Sequence, residues 1–282
     1  MAGGLAALAA GVLLALGAWA VALFKKKRAR GPADLAAAMA GGGPPKEGDV
    51  LAGKYRLAGF VGRDAAGERW EAVDAALNRT VSVRRLDPGD DPQARERMRQ
   101  ESRTAAGLQH PNIVAVFEAL DLPNGVFLVM EHVPGRSVAE MLATGGPLPL
   151  GRVRRILEAA AAALVYARAQ GVVHPGLKPS SLVVTDGGAV KVRDFASAAG
   201  GLGGDDLRAL GECLYEMLTG EPLDAGAGRF AQGSRWPSQV RPGVPPAADA
   251  LVLGAISADP GERFGGVAEF VEGLSALGPP ES

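Results

Sequence analysis

Cysteine, histidine and aromatic residues are scarce in this chain, and their scarcity excludes several kinds of site. Of the 282 residues, one is cysteine, three are histidine and 5% are aromatic. The lone Cys213 excludes an intramolecular disulfide and is typical of a reducing compartment. Leu210, Leu214 and Met217 recur around it at helical spacing, which predicts a buried packing role instead of nucleophilic catalysis. The histidines have no cysteine or histidine at ligand spacing, which argues against a zinc site.

An excess of charge of either sign is also missing. The chain has 30 basic and 31 acidic residues, so its charges nearly cancel. No long-range field therefore favours nucleic acid, and we expect no nucleic-acid partner. The length allows one large domain or two small ones, each with a substantial core.

Residues 3–24 form one long uncharged run of 22 residues, directly followed by a basic cluster at 25–30. As a helix this run is about 33 Å long, which matches the hydrocarbon core of a bilayer. A secretory signal peptide would carry its basic residues before a shorter apolar core, and a buried soluble helix is the other alternative. The pattern favours a single-pass membrane anchor in contact with the lipid bilayer. The positive-inside rule then predicts that the rest of the chain is cytoplasmic.

Residues 171–198 hold the most informative pattern in the chain. Two short strands, Leu182–Thr185 and Val190–Arg193, are joined by an Asp-Gly-Gly turn, which is a strong local hairpin signal. A compact loop that contains His174 and Lys178 precedes the hairpin, and Asp194 follows it. This order brings polar groups from two loops to one end of a small sheet.

The rest of the chain shows alternating strands first and helical periodicity later. Strand patterns cover 55–57, 67–73, 80–86 and 126–130, with a helix over 91–108 between the last two. Helices are predicted over 136–144, 152–170, 206–220, 247–257 and 267–277. Residues 222–246 are rich in glycine and proline and are predicted to be loop.

The hairpin region resembles the catalytic and metal-binding loops of eukaryotic-type protein kinases, His-Arg-Asp-Leu-Lys-Pro-x-Asn followed by Asp-Phe-Gly. Here residues 174–181 read His-Pro-Gly-Leu-Lys-Pro-Ser-Ser, and residues 194–196 read Asp-Phe-Ala. Similar matches occur at 81–84, 110–114, 126–135 and 259–263, so that the resemblance covers residues 53–277. It implies an α+β, two-lobed protein-kinase-like fold, preceded by one transmembrane helix, in a bacterial membrane-anchored member with degenerate catalytic motifs.

The resemblance also implies a division of the chain. Residues 1–30 are the anchor with its basic stop, and 31–52 are a flexible linker. Residues 53–132 are the β-rich small lobe, 133–277 are the helical large lobe, and 278–282 are a tail.

In the family, a glycine-rich loop covers the nucleotide phosphates. The resemblance assigns Gly62 and Gly67 to this loop, with Asp64 in place of the middle glycine. A carboxylate there faces the triphosphate, and like charges in a cleft of low dielectric repel.

The resemblance places Arg84 at the lysine that bridges the α- and β-phosphates, a replacement that is not conservative at a shaped site. Glu101 falls at the helix glutamate that pairs with that lysine, so an Arg84–Glu101 ion pair is one expectation and a solvated surface glutamate the other. Met130 and Glu131 fall at the gatekeeper and the hinge, beside the adenine slot.

The catalytic loop has lost most of its chemical groups. Gly176 replaces the aspartate that orients the substrate hydroxyl, and Ser181 replaces the asparagine that holds a second Mg²⁺, for which a hydroxyl is a poor substitute. Lys178 remains as a phosphate contact or as a surface charge. Asp194 retains the carboxylate that binds metal in the family, so ATP and Mg²⁺ are candidate ligands, although most of the groups that hold them in the family are replaced.

Only eleven residues separate Asp194 from Asp206, so the substrate-docking activation segment and its Ala-Pro-Glu motif are missing. Arg263, which pairs with the glutamate of that motif in the family, is left without a known partner. We expect an inactive pseudokinase that serves as a cytoplasmic signalling scaffold. The alternatives are an atypical ATP-binding Ser/Thr kinase and a nucleotide-responsive switch without phosphotransfer.

Overall fold

The computed structural model describes residues 43–64, 67–87, 89, 91–195, 205–223 and 235–277. The predicted membrane anchor, its basic cluster, most of the linker and the tail lie outside these ranges. Within the described ranges, no helix combines the length and apolarity that a membrane span requires.

The small lobe is built on an antiparallel sheet of six strands in the order β1-β2-β3-β4-β6-β5. Its strands are β1 (Val50–Leu51), β2 (Tyr55–Asp64), β3 (Gly67–Asp74), β4 (Arg79–Leu86), β5 (Val116–Leu122) and β6 (Gly125–Glu131). The strand β1 lies within the range predicted to be linker, and it pairs with the start of β2.

Alternation along β4 determines which side chains face the large lobe. Val81 and Val83 are buried in the apolar cluster on one face of the sheet, together with Leu57 and Val129. Since successive side chains of a strand point to opposite faces, Arg84 lies on the other face, towards the cleft between the lobes.

A single long helix, α1 (Pro92–Ala106), packs against β5 and β6. Its start follows from the sequence, because the Asp91 side chain accepts the N–H of Gln93 and Pro92 occupies the first turn. Glu101, the predicted partner of Arg84, lies on this helix.

The large lobe is helical, with a three-stranded sheet β7-β8-β9 next to the cleft. The strands are β7 (Gly135–Ser137), β8 (Leu182–Thr185) and β9 (Val190–Val192), and Pro179–Ser181 forms a 3₁₀ turn before β8. The helices are α2 (Val138–Gly145), α3 (Leu150–Ala169), α4 (Asp206–Thr219), α5 (Pro237–Val240), α6 (Pro246–Ile256) and α7 (Val267–Ser275). Cys213 is fully enclosed on α4, as its neighbours predicted.

Two sequence predictions are corrected in this lobe. The helix predicted from residue 136 begins at Val138, because Ser137 and Glu140 form a reciprocal capping box and the preceding residues pair as β7. The segment 222–246 contains the short helix α5, which begins at Pro237. Proline at the first helical position is compatible with a helix, although its frequency in the segment favoured loop.

Candidate functional site

Arg84 is the central side chain of the cleft, and it bridges the two lobes. Its Nη1 atom donates a 2.9 Å hydrogen bond to Oδ1 of Asp64, at the end of β2. Its Nη2 atom lies 2.9 Å from Oδ1 of Asp194, just after β9. Only 1% of the Arg84 side chain is exposed. The guanidinium group therefore lies between two carboxylates, one from each lobe.

The predicted Arg84–Glu101 ion pair is wrong. Among the described residues, the ion pairs of Arg84 are those with Asp64 and Asp194. Asp64, which replaces the middle glycine, explains this difference. The long planar guanidinium group of Arg84 reaches Asp64 and Asp194 at the same time. Burial raises the pKa of Glu101, and the charge of Arg97 opposes that shift.

Asp64 is held by a second arginine. Arg69 stands opposite Arg84 in the β3–β4 register, and its Nε atom lies 3.7 Å from Oδ2 of Asp64. The carboxylate that was expected to repel a triphosphate is thus neutralised from within the protein. The charges of Asp64 and Arg69 thus offset each other.

Asp194 is a strained and largely enclosed residue. Its φ of 73° lies in the left-handed region, which is uncommon for a residue other than glycine, and 11% of its side chain is exposed. Its Oδ2 atom lies 3.6 Å from Nε of Arg193. Burial lowers the pKa of Arg193, while the charge of Asp194 opposes that shift. Two guanidinium groups therefore flank the carboxylate that was predicted to bind metal.

Arg193 also fixes the loop before β8. Its Nε and Nη2 atoms donate to the carbonyl oxygen of Ser180 at 3.0 and 2.6 Å. Its backbone N–H donates to the carbonyl oxygen of Ser181 at 3.0 Å. Arg193 was not among the residues predicted for the site, although its position directly before Asp194 was an available signal.

His174 is buried and holds the loop by hydrogen bonds from both ring nitrogens. Its Nε2 donates to the carbonyl oxygen of Arg193 at 2.9 Å, and its Nδ1 accepts the N–H of Gly176 at 3.1 Å. The ring packs edge-on against Phe195, 4.8 Å between centroids. Burial lowers the pKa of His174 despite its bond to the Arg193 carbonyl. His174 is thus a neutral structural residue.

The remaining predicted residues of the catalytic loop offer little chemistry. Gly176 is exposed, and a Cβ atom there would meet no atom within 4 Å, so the missing aspartate side chain is not excluded by space. Lys178 is exposed. The Ser181 side chain is 1% exposed, and its Oγ has no hydrogen-bond partner among the described residues.

Of the predicted loop glycines, Gly67 has a structural reason. Its φ is 122°, and an added Cβ would collide with the backbone carbonyl oxygen of Arg85 on the neighbouring strand. At Gly62 the φ is 156° and the surrounding space is open. The close approach of β3 to β4 therefore requires glycine at position 67, whether or not the loop covers a nucleotide.

The hinge side of the cleft is tied by polar contacts. The Oε2 atom of Glu131 is 2.8 Å from Nζ of Lys191 on β9 and accepts the N–H of Ala115 at 3.2 Å. Ser82 lies on the same face of β4 as Arg84, and its Oγ is 3.5 Å from Nδ1 of His132. The Glu131 carboxylate is thus used within the protein.

Met130 lines a small cavity behind the hinge. The cavity has a volume of about 10 Å³ and is also bordered by Leu128, Asp194 and Phe195. A space of this size holds about one water molecule.

The donor set does not fit Mg²⁺ with ATP. The Asp194 carboxylate faces Arg84, Ser181 is enclosed, and Gly176 carries no side chain. In the part of the chain that the structure describes, no group of three or more His, Cys, Asp or Glu side chains is placed to hold a metal. A cation at Asp194 would meet a guanidinium already at contact distance.

Arg263 has a partner that the sequence did not reveal. Its Nη2 donates to Oδ2 of Asp205, the N-cap residue of α4, whose Oδ1 accepts the N–H of Arg208. Burial alone would raise the pKa of Asp205, but the bonds from Arg263 and Arg208 outweigh it and lower that pKa. Asp205 thus supplies the carboxylate for Arg263.

Comparison with known proteins agrees with this architecture. The protein kinase domain family matches residues 55–206. The chain is 31% identical over 263 residues to the serine/threonine-protein kinase PknB of Mycolicibacterium smegmatis. This alignment covers 78% of the chain and 42% of PknB. It is also 30% identical over 272 residues to the serine/threonine-protein kinase PknA of Mycobacterium tuberculosis. That alignment covers 83% of the chain and 63% of PknA. The chain therefore spans less than two thirds of the length of these relatives.

Proposed function

The chain belongs to the protein kinase family, and we propose that it is a catalytically inactive member, a pseudokinase that serves as a signalling scaffold. The observation that carries this proposal is the position of Arg84 between Asp64 and Asp194. Internal ion pairs take the place of the nucleotide phosphates and the metal, and they join the lobes without a ligand.

Moving Arg84 away from its two carboxylates costs free energy. Breaking a buried ion pair by removal of one partner destabilises a protein by about 3–5 kcal/mol, because a charge is left buried and uncompensated. A nucleotide or metal that enters the cleft must first displace the guanidinium group of Arg84 from Asp194, and the loss of that ion pair opposes its binding. We therefore propose that the resting state of the cleft is closed and free of nucleotide.

The lost catalytic groups support the same conclusion. A positioned general base contributes about 10²–10⁴-fold to a rate, and Gly176 offers none. The short connection from Asp194 to Asp206 leaves no room in the sequence for the activation segment that docks a peptide substrate. We therefore propose that this chain transfers no phosphate.

An active serine/threonine protein kinase is the second candidate. The names of PknA and PknB favour it, as do the retained Lys178 and Asp194. In this reading, Arg84 releases Asp194 when Mg·ATP enters.

Transfer of radiolabel from γ-labelled ATP separates the two candidates. The purified full chain is incubated with Mg·ATP, alone and with a generic protein substrate, beside an Asp194→Ala variant that reports any contaminating kinase. We expect no label above the variant's background. Label that requires Asp194 would overturn the proposal and establish the second candidate.

We further propose that the chain is membrane-anchored through residues 3–24, with the kinase-like domain in the cytoplasm. The apolar run and the basic cluster after it support this location. Protease treatment of spheroplasts tests it. Protection of the domain until the membrane is permeabilised is the expected outcome, whereas digestion in intact spheroplasts would overturn the topology.

A further inference from the structure

A second pocket, separate from the cleft, lies on the large lobe. It is formed by the end of α3, the start of α4 and the start of α7, and we call it the α3–α7 pocket. Its volume is about 450 Å³, and it shares no lining residue with the cleft described above. Pockets of about 300–1,000 Å³ are typical of binding sites.

Much of the wall of the α3–α7 pocket is apolar. This part is formed by Leu164, Val165, Leu207, Phe264 and Val267, and four charged residues also line the pocket: Arg168, Asp205, Asp206 and Arg263. Val165 is 52% exposed, although the neighbouring Leu164 is buried. Few other large apolar side chains among the described residues are as exposed as Val165. The pocket thus offers an aliphatic surface that a partner side chain can cover.

The charges at the rim select the partner. Nη2 of Arg168 lies 2.9 Å from Oδ2 of Asp206; 57% of the arginine side chain is exposed, against 3% of the aspartate. Both oxygens of Asp205 already accept bonds, from Arg208 and Arg263. Asp206 is enclosed, whereas 41% of the Asp205 side chain and 29% of the Arg263 side chain are exposed. The rim therefore presents two exposed arginines, Arg168 and Arg263, against one exposed carboxylate.

Such a rim complements an acceptor of negative charge. A guanidinium group has five N–H donors, and a carboxylate matches their geometry. A cationic partner would instead meet the exposed Arg168, while Asp206 is enclosed and Asp205 is already bonded to Arg208 and Arg263. An acidic group beside an apolar one therefore fits both the rim and the walls.

We propose that the α3–α7 pocket docks a peptide segment of a partner protein in which an aspartate or glutamate stands next to an aliphatic residue. The aliphatic side chain packs between Val165 and Phe264, and the carboxylate binds Arg168. The inference rests on the proposed scaffold function, for which it supplies an interaction surface, and does not depend on the state of the cleft.

A random-peptide phage library panned on the purified full chain tests the proposal. Selected peptides are then labelled, and their affinities are measured by fluorescence anisotropy against the wild type, Val165→Glu, Arg168→Gln and Leu77→Glu. Leu77 is 64% exposed on the small lobe, so that its variant is the matched control for an added surface charge. Melting temperatures establish that each variant is folded. Val165→Glu alters only an exposed position and keeps the test valid if Arg168→Gln is unstable.

We expect the selected peptides to share an acidic residue next to an aliphatic one. Val165→Glu and a peptide with lysine in place of its acidic residue should each weaken binding by about tenfold or more, and Leu77→Glu should have no effect. A basic consensus, or binding that is indifferent to Val165, would overturn the inference. Self-association that Val165→Glu abolishes would identify a second copy of the chain as the occupant and overturn it too. None of these outcomes bears on phosphotransfer, which the radiolabel experiment tests separately.

Discussion

Nη2 of Arg84 lies 2.9 Å from Oδ1 of Asp194, and this contact joins the small lobe to the large lobe. Both atoms lack an aligned hydrogen bond, so the contact is a charge interaction in an enclosed site, where screening by water is weak. The same guanidinium holds Asp64, so a single side chain neutralises carboxylates of both lobes.

Arg84→Met should destabilise the protein by about 3–5 kcal/mol, because Asp194 and Asp64 lose the buried cation that they share. Urea denaturation of the full chain measures the loss in free energy of unfolding. Arg56→Met is the matched control, since Arg56 is exposed on β2, and its effect should stay within about 0.5 kcal/mol. Equal effects of the two substitutions would mean that the bridge contributes nothing to stability.

His174 should make the protein less stable as the pH falls below about 6.5. Its pKa is lowered in the folded state, so the unfolded state binds more protons between the folded pKa and the ordinary value of about 6.5, and stability rises with pH across that range. His174→Asn removes this group. We expect the destabilisation caused by the variant, measured by urea denaturation, to be smaller near pH 5 than near pH 7.5. A difference that is constant with pH would show that His174 charges freely in the folded protein.

Asp205 should stabilise the protein above the ordinary carboxyl pKa and cease to do so in acid. Its pKa is lowered in the folded state, so its contribution is complete above about pH 5 and is lost as the pH falls through the folded pKa. Asp205→Asn keeps a good helix cap but removes the charge that faces Arg263. Because Asp205 is partly exposed, we expect a loss below about 1 kcal/mol at pH 7 that shrinks as the pH falls below the ordinary carboxyl pKa. Thermal melts across this pH range provide the measurement, with Arg263→Met as the reciprocal variant.

Gly211→Ala should destabilise the large lobe. A Cβ at this position would lie 2.6 Å from Cβ of Ala255 and 2.9 Å from Cγ2 of Ile256, so that α4 and α6 must separate. Overpacking of this kind costs about 1–3 kcal/mol, which exceeds the gain of about 1 kcal/mol in helix propensity. Gly145→Ala, near the end of α2, has open space around it and should be neutral or slightly stabilising. Similar urea midpoints for the two variants would contradict the close helix contact.

Local patterns in the sequence predicted most of the elements of the fold. The Asp-Gly-Gly turn predicted the β8–β9 hairpin, and the Asp-Pro signal at Asp91 predicted the start of α1. The start of α2 was misplaced because the pairing of Gly135 with Thr185 joins residues far apart in the chain. Propensity along a single segment carries no information about such a partner.

The candidate site, too, was predicted only in part. The sequence placed Arg84 and Asp194 in one cleft by resemblance, but it paired Arg84 with Glu101. Asp64 was treated as an isolated defect of a glycine-rich loop, whereas the structure makes it the partner of Arg84. The negative Asp64 and the positive Arg84 both depart from the family pattern, and this pair of opposite charges was the available signal. Their distance in space could not be read from sequence order.

The melting temperature of the full chain, measured with and without millimolar Mg·ATP, tests the closed cleft most directly. Mg²⁺ alone and ATP with EDTA are the controls for either component. A ligand that binds the folded state must raise its stability, by about 2.7 kcal/mol at a hundredfold excess over Kd. With Arg84 between Asp64 and Asp194, we expect no shift in any of the three conditions. A rise of more than about 2 °C with Mg·ATP would contradict the closed cleft.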